Sequence, residues 1–207
     1  MASAHEGTPS GDGGADRKVT HAAPIDRIGN VAIRAMDETD YPQVREILQQ
    51  GMDTGEATFE GTAPDWPEFI ANRIPSLTFV AEDDNAKILG WVSASPSSHR
   101  HVFHGVVEDS IYVAKDALGK GIAGRLLDAL MDAATAQGYW ALHSSIFPEN
   151  TGSVKLHKSR GFEEVGVLHR MAQMEYGSKK GMWRDLLKME HILGGGPAHP
   201  SREQEAP

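Results

Sequence analysis

The sequence predicts a mixed α/β domain, a single sheet layered with helices, and three observations lead to it. Strand-like and helix-like segments alternate along the chain. One alternating strand runs directly into a glycine-rich turn and an apolar-periodic helix. The apolar content suits one core rather than two. Of 207 residues, 40% are hydrophobic and 24% charged, which leaves room for one domain of ordinary size with tails. Residues 1–27, with Gly7, Gly11, Gly13 and Gly14 among short polar residues, and residues 194–207, rich in Gly and Pro, read as disordered tails around a domain at 28–193.

Taken in order, Val31 to Arg34 is a short strand. Asp37 to Asp40 is a helix start signal, Pro42 fits the opening turn, and Val44, Ile47, Leu48 and Met52 share one side of the helix. Residues 51–67 are irregular, and Trp66 to Ile74 is a short helix ended by Pro75. Leu77 to Glu82 and Lys87 to Ala94 form a hairpin across a polar turn, followed by a polar loop at residues 95–105. Val107 to Val113 is the next strand. Its period of two puts Glu108, Ser110 and Tyr112 on one face and Val107, Asp109, Ile111 and Val113 on the other. After the glycine turn a helix runs to about Gln137 with Leu126, Leu127, Leu130, Met131 and Ala134 as its buried stripe, and Gly138 ends it. Trp140 to Phe147 is a strand and Asn150 to Ser159 a helix stopped by Gly161. Phe162 to Met171 and Asp185 to His191 pair as the last two strands.

The formal charge of −9 argues against broad attraction to nucleic acid or anionic lipid. Without cysteine there is no disulfide, thiol nucleophile or thiolate metal site. No apolar run approaches the roughly 20 residues that span a bilayer, and residues 1–27 hold no apolar signal segment. A cytoplasmic protein with no membrane partner is the expectation.

The turn Gly119-Lys120-Gly121-Ile122-Ala123-Gly124 carries the clearest chemistry. Glycines let the backbone turn tightly, and the first amides of the following helix lack intrahelical partners, so they suit a pyrophosphate. The same spacing serves a plain strand-to-helix connection equally well. It lacks the dinucleotide Gly-x-Gly-x-x-Gly and the Lys-Ser/Thr pair of a nucleotide P-loop. His99, His101 and His104 crowd one loop, but no carboxylate set lies near them, and no metal is expected.

From Val31 to about Glu190 the chain resembles the GNAT superfamily of acyl-CoA-dependent N-acetyltransferases, within it the phosphinothricin acetyltransferase group. The resemblance rests on Ile33-Arg34-Ala35, Ala57-Thr58-Phe59, Val107-Glu108-Asp109-Ser110-Ile111-Tyr112-Val113, Gly119-Lys120-Gly121-Ile122-Ala123, Pro148-Glu149-Asn150 with Ser153, Leu156-His157 and Gly161-Phe162, and Gly181-Met182-Trp183-Arg184-Asp185, all in the family's order. It implies a mixed sheet, flanked by helices, that splays between its fourth and fifth strands, with acetyl-CoA as co-substrate in the gap. Leu118 stands where the family's pyrophosphate loop usually begins with Arg or Gln. Lys120 and Arg125 are candidate charges nearby.

By the same resemblance, Ile111, Tyr112 and Val113 offer backbone amides to the thioester, residues Gly119, Lys120, Gly121, Ile122, Ala123 and Gly124 hold the pyrophosphate, and Asn150 and Ser153 meet the pantetheine. Glu108 is the candidate base for the amine and His157 the candidate donor to the leaving thiolate, although a solvated strand-edge carboxylate and a structural histidine explain those residue types too. Thr58, Phe59, Arg100, Phe103 and Trp183 are the candidate acceptor pocket, in which an Arg fork suits a carboxylate or phosphinate. The segment Gln173 to Lys180 is longer than the family pattern and either shapes the pocket rim or faces a second subunit of a homodimer. The expected acceptor is a small amino acid analogue such as phosphinothricin, methionine sulfone or methionine sulfoximine, modified by direct transfer in a ternary complex. Polyamine, other small-amine or protein amine acetylation is the neighbouring enzymatic reading. CoA binding without catalysis, for which Leu118 speaks, is the non-enzymatic one.

Overall fold

A computed structural model describes residues 25–194; of the expected tails at 1–27 and 194–207, residues 1–24 and 195–207 lie outside the described residues. The strands are β1 (Asp26–Ile28), β2 (Val31–Ala35), β3 (Thr78–Asp83), β4 (Ile88–Pro96), β5 (Val106–Val113), β6 (Ala141–Ile146), β7 (Glu163–Gln173) and β8 (Trp183–Ile192). The helices are α1 (Tyr41–Met52), α2 (Trp66–Ala71), α3 (Ile122–Ala136) and α4 (Thr151–Lys158). All eight strands form one sheet in the order β1-β2-β3-β4-β5-β6-β8-β7. Every neighbouring pair is antiparallel except β5 and β6.

Local chemistry sets the helix ends. The Asp37 carboxylate accepts from the Thr39 amide at 2.7 Å and Asp40 accepts from the Asp37 amide at 2.9 Å, a reciprocal cap before α1, with Pro42 in its first turn. Val44, Ile47, Leu48 and Met52 are buried as their spacing predicts. Along α3, Leu126, Leu127, Leu130 and Ala134 are buried, whereas Met131 is only half-buried and Ala129 takes its place in the stripe. The short helix α2 ends at Ala71, before the predicted Ile74.

Strand β1 is a departure from the sequence reading, which put residues 26 and 27 in the tail. Asp26 pairs with Ile33 and Ile28 with Val31, so these residues take strand geometry from β2 rather than from their own composition. The Arg125 guanidinium binds the Asp26 carboxylate at 2.7 Å and the Val31 carbonyl at 3.2 Å. Arg125 is thereby committed to the sheet edge and not to the glycine turn.

Helices lie on both faces of the sheet. A Cβ on Gly51 of α1 would strike the Tyr112 ring at 2.5 Å, whereas one on Gly90 of β4 would meet both the Val113 side chain and Leu126 of α3 at 3.2 Å. Tyr112 and Val113 are successive residues of β5 and point oppositely, so α1 and α3 cover opposite faces. The parallel pairing of β5 with β6 covers only Val106 with Ala141, Val107 with Leu142 and Glu108 with His143. Beyond Glu108 the strands part, at the place the resemblance implied; with β1 counted, the split falls between the fifth and sixth strands.

Candidate active site

The split opens a cleft of about 420 Å³ whose lining includes Gly51, Ile111, Ser144, Phe147, Asn150 and His157. One hydrogen bond sets the phase of its open strand edge. The Ala114 amide donates to the Leu89 carbonyl at 2.9 Å, so in this antiparallel pair Tyr112, Ser110 and Glu108 also direct their backbone groups at β4. The alternate residues Ile111 and Val113 turn theirs toward the cleft, where among the described residues no strand pairs with them. Tyr112, expected to offer its amide here, faces β4 instead. Its ring stacks on Trp91 at 4.8 Å, and burial pushes its phenol up to about 12, so it stays neutral.

On the face covered by α4, His157 is 1% exposed. Its Nδ1 donates to the Ser153 carbonyl at 2.8 Å, and its Nε2 lies 3.2 Å from both the Asp109 carboxylate and the Ser144 hydroxyl. Burial alone would lower the imidazole pKa; the Asp109 hydrogen bond and charge, aided by the Ser153 carbonyl, outweigh it and hold the pKa above the ordinary value. The second oxygen of Asp109, Oδ1, is buried and has no hydrogen-bond partner among the described residues. Strand alternation marks Asp109 only as one member of a face, and the signal for its role is a lone carboxylate among Val107, Ile111 and Val113.

Glu108 occupies the opposite face, with Lys188 at 3.1 Å; Lys188 also donates to the Ser145 hydroxyl at 2.7 Å. The two candidate catalytic residues are thus separated by the sheet rather than gathered in one cluster. On the Glu108 side Phe59 meets Phe147 edge to face at 4.9 Å, and the Arg184 guanidinium sits 3.9 Å from the Phe147 ring centre. Arg184 is buried and donates to the Gly55 carbonyl at 2.9 Å, Glu56 at 2.8 Å and Glu149 at 3.0 Å. The longer segment before β8 packs on this wall: the Tyr176 hydroxyl donates to the Met52 and Thr58 carbonyls at 3.1 and 2.9 Å, and Lys179 pairs with Glu56. The segment thus contacts residues 52–58 of its own chain.

None of the five expected acceptor residues lines the cleft directly. Arg100 and Phe103 lie on the exposed loop before β5, the guanidinium 5.3 Å from the ring centre. Thr58 turns its hydroxyl to the Glu60 amide at 3.2 Å, and Trp183 is 59% exposed. Phe59 reaches the cleft wall through Phe147. Arg184 and Lys188 were missed because their importance comes from partners distant in the chain. His101 and His104 stack on each other at 4.9 Å, and His104 meets Trp140 edge-on; among the described residues no metal-sized group of His, Asp or Glu is assembled.

At the other end of the cleft, Gly119 and Gly121 have φ of 74° and 75°, and Gly121 is the N-cap of α3. The left-handed backbone at both positions explains glycine there and leaves the amides of Ile122, Ala123 and Gly124 without intrahelical acceptors. Lys120 and Leu118 are exposed. Asn150 caps α4, its Oδ1 accepting from the Ser153 amide at 3.1 Å while its Nδ2 donates to the Glu56 carbonyl at 3.0 Å. An unpaired strand edge leading to a helix start with free amides suits a long thioester ending in phosphates.

These features are those of an acetyl-CoA-dependent transferase, and comparison with known proteins places the chain in a family: residues 41–162 match the acetyltransferase (GNAT) family, to which the chain belongs. It is an N-acetyltransferase with acetyl-CoA as donor. It is 39% identical over 168 residues to an L-methionine sulfoximine/L-methionine sulfone acetyltransferase of Pseudomonas aeruginosa, covering 78% of this chain and 94% of that protein. It is 30% identical over 169 residues to the phosphinothricin N-acetyltransferase of Alcaligenes faecalis, covering 79% and 83% of the two. A phosphinothricin acetyltransferase from Sinorhizobium meliloti, solved in complex with acetyl-CoA, superposes with a TM-score of 0.72 at 30% identity over 84% of this chain and 95% of that one. No helix among the described residues is long and apolar enough to cross a membrane.

Proposed function

We propose that the protein acetylates the α-amino group of a small amino acid analogue bearing a second acidic or strongly polar group, of the phosphinothricin, methionine sulfone or methionine sulfoximine kind, by direct transfer in a ternary complex. The observation that carries the reading is the division of the split sheet. One face presents the Glu108–Lys188 pair beside Phe59 and Phe147, the other the His157–Asp109 pair, and the unpaired edge of β5 runs between them. The names of the relatives support the acceptor class.

In this account Glu108 receives the proton of the amine, directly or through water, and Lys188 supplies a cation for the acceptor's acid group. The Ile111 amide donates to the carbonyl oxygen as negative charge develops on it, and the Val113 amide, two residues further along the same edge, to the pantetheine arm. His157, held by Ser153 and with its protonated form favoured by Asp109, supplies the proton to the departing thiolate. No cysteine is present to carry the acetyl group, which supports one-step transfer. We also infer a homodimer, supported by the edge strand β7, whose Val165, Val167, Leu168 and Met171 are exposed.

The test is a panel assay following CoA release. Phosphinothricin, methionine sulfone and methionine sulfoximine should turn over with intersecting double-reciprocal plots. Faster turnover of polyamines or amine-bearing peptides would overturn the acceptor class, and parallel plots with an isolable acetylated protein would overturn direct transfer.

A further inference from the structure

The glycine turn is poor in available charge. Leu118 is 64% exposed and apolar, and Arg125 is committed to Asp26 and Val31. A cation nevertheless sits at the start of α3, and it comes from the chain just beyond α4. A Cβ on Gly124 would fall 1.9 Å from Nη2 and 2.5 Å from Cζ of Arg160. The guanidinium therefore rests against the third residue of α3, in a position that any side chain at 124 would displace. Together with Leu118, Gly119, Gly121, Ile122 and Ala123 it lines a small cavity of about 150 Å³. Its Nε donates to Asp128 at 3.2 Å and its Nη1 to the Ser159 hydroxyl at 2.8 Å. Its Nη2, the nitrogen nearest Gly124, has no hydrogen-bond partner among the described residues.

We propose that Arg160 is a phosphate-binding residue of the acetyl-CoA site, holding the pyrophosphate jointly with the free amides of Ile122, Ala123 and Gly124. Asp128 and Ser159 fix the fork and leave one edge of it for the anion. A phosphate placed there meets a planar cation and a helix N-terminus at once, an arrangement that neither Lys120 on its flexible stem nor the amides alone supply. Asp128 opposes the anion electrostatically, so its function is to orient the fork. The inference rests on acetyl-CoA being the donor.

Calorimetric titration with CoA, 3′-dephospho-CoA and S-acetylpantetheine tests it. Arg160→Ala should weaken CoA and 3′-dephospho-CoA about tenfold or more, the scale of a lost charge-assisted hydrogen bond, while leaving S-acetylpantetheine unchanged. Arg160→Lys should recover part of the loss. Gly124→Ala should weaken the same two ligands by displacing the guanidinium. CoA affinity within twofold of wild type in Arg160→Ala would overturn the proposal. So would an equal loss for S-acetylpantetheine, which marks a merely structural Asp128–Arg160 tie, or a loss confined to CoA, which moves the contact to the 3′-phosphate. Failure of the wild-type protein to bind any of the three ligands would remove the acetyl-CoA reading itself.

Discussion

Glu108 and Asp109 are neighbours in the chain and carry the same functional group, yet strand alternation sends them to opposite faces of the sheet. Glu108 keeps partial exposure and an ammonium partner; Asp109 is buried against an imidazole. Their substitutions should therefore separate. Glu108→Gln should lower kcat/KM about 10²-fold or more, with partial rescue at high pH where free amine is abundant and with acetyl-CoA affinity unchanged; wild-type kcat/KM across the pH range would refute its role. Asp109→Asn should act through His157. Because the folded pKa of His157 is raised, the pair contributes stability that is fully present below the ordinary histidine pKa and is lost as pH rises through the folded value. Melting temperature measured against pH should fall through that window in the wild-type protein and stay flatter in Asp109→Asn. Identical profiles would show that the pair is not coupled as the geometry requires.

At the scale of elements, much was readable because the deciding signals were local. The start of α1 lay in Asp37, Asp40 and Pro42, the β3–β4 hairpin in its polar turn, and α3 in a buried stripe that needed only Ala129 in place of Met131. What escaped was set by neighbours distant in sequence. Strand β1 takes its conformation from Val31 to Ile33, and Arg184 acquires its burial from Gly55, Glu56 and Glu149. The family resemblance pointed to Trp183 where the structure puts Arg184 at the wall. Asn150 joins both kinds of information, capping α4 and reaching Glu56 across the cleft. Asn150→Ala should cost about 0.5–2 kcal/mol from the cap alone, a fall of a few degrees for a chain of this size. Differential scanning calorimetry reads it, and a variant as stable as wild type would show that the cap contributes nothing.

For the whole molecule, the splayed sheet was legible through the family resemblance and not from periodicity, since nothing in residues 106–113 or 141–146 announces where two strands stop pairing. The order of the last strands, with β8 inside and β7 at the edge, was likewise beyond local patterns. Among the described residues that order leaves the long β7 unpaired on one side. Light scattering should give a dimer for the wild-type protein and a monomer for Leu168→Lys, while a monomeric wild type would remove the dimer proposal.

The central claim is that acetyl-CoA occupies the opening between β5 and β6, against amides the sheet leaves unpaired, and amide hydrogen exchange followed by NMR with and without acetyl-CoA tests it most directly. Ile111, Val113, Ile122, Ala123 and Gly124 should exchange more slowly in the complex, whereas Ser110 and Tyr112, already bonded to β4, should be slow in both states. Binding that leaves Ile111 and Val113 unprotected while slowing exchange elsewhere would contradict the account.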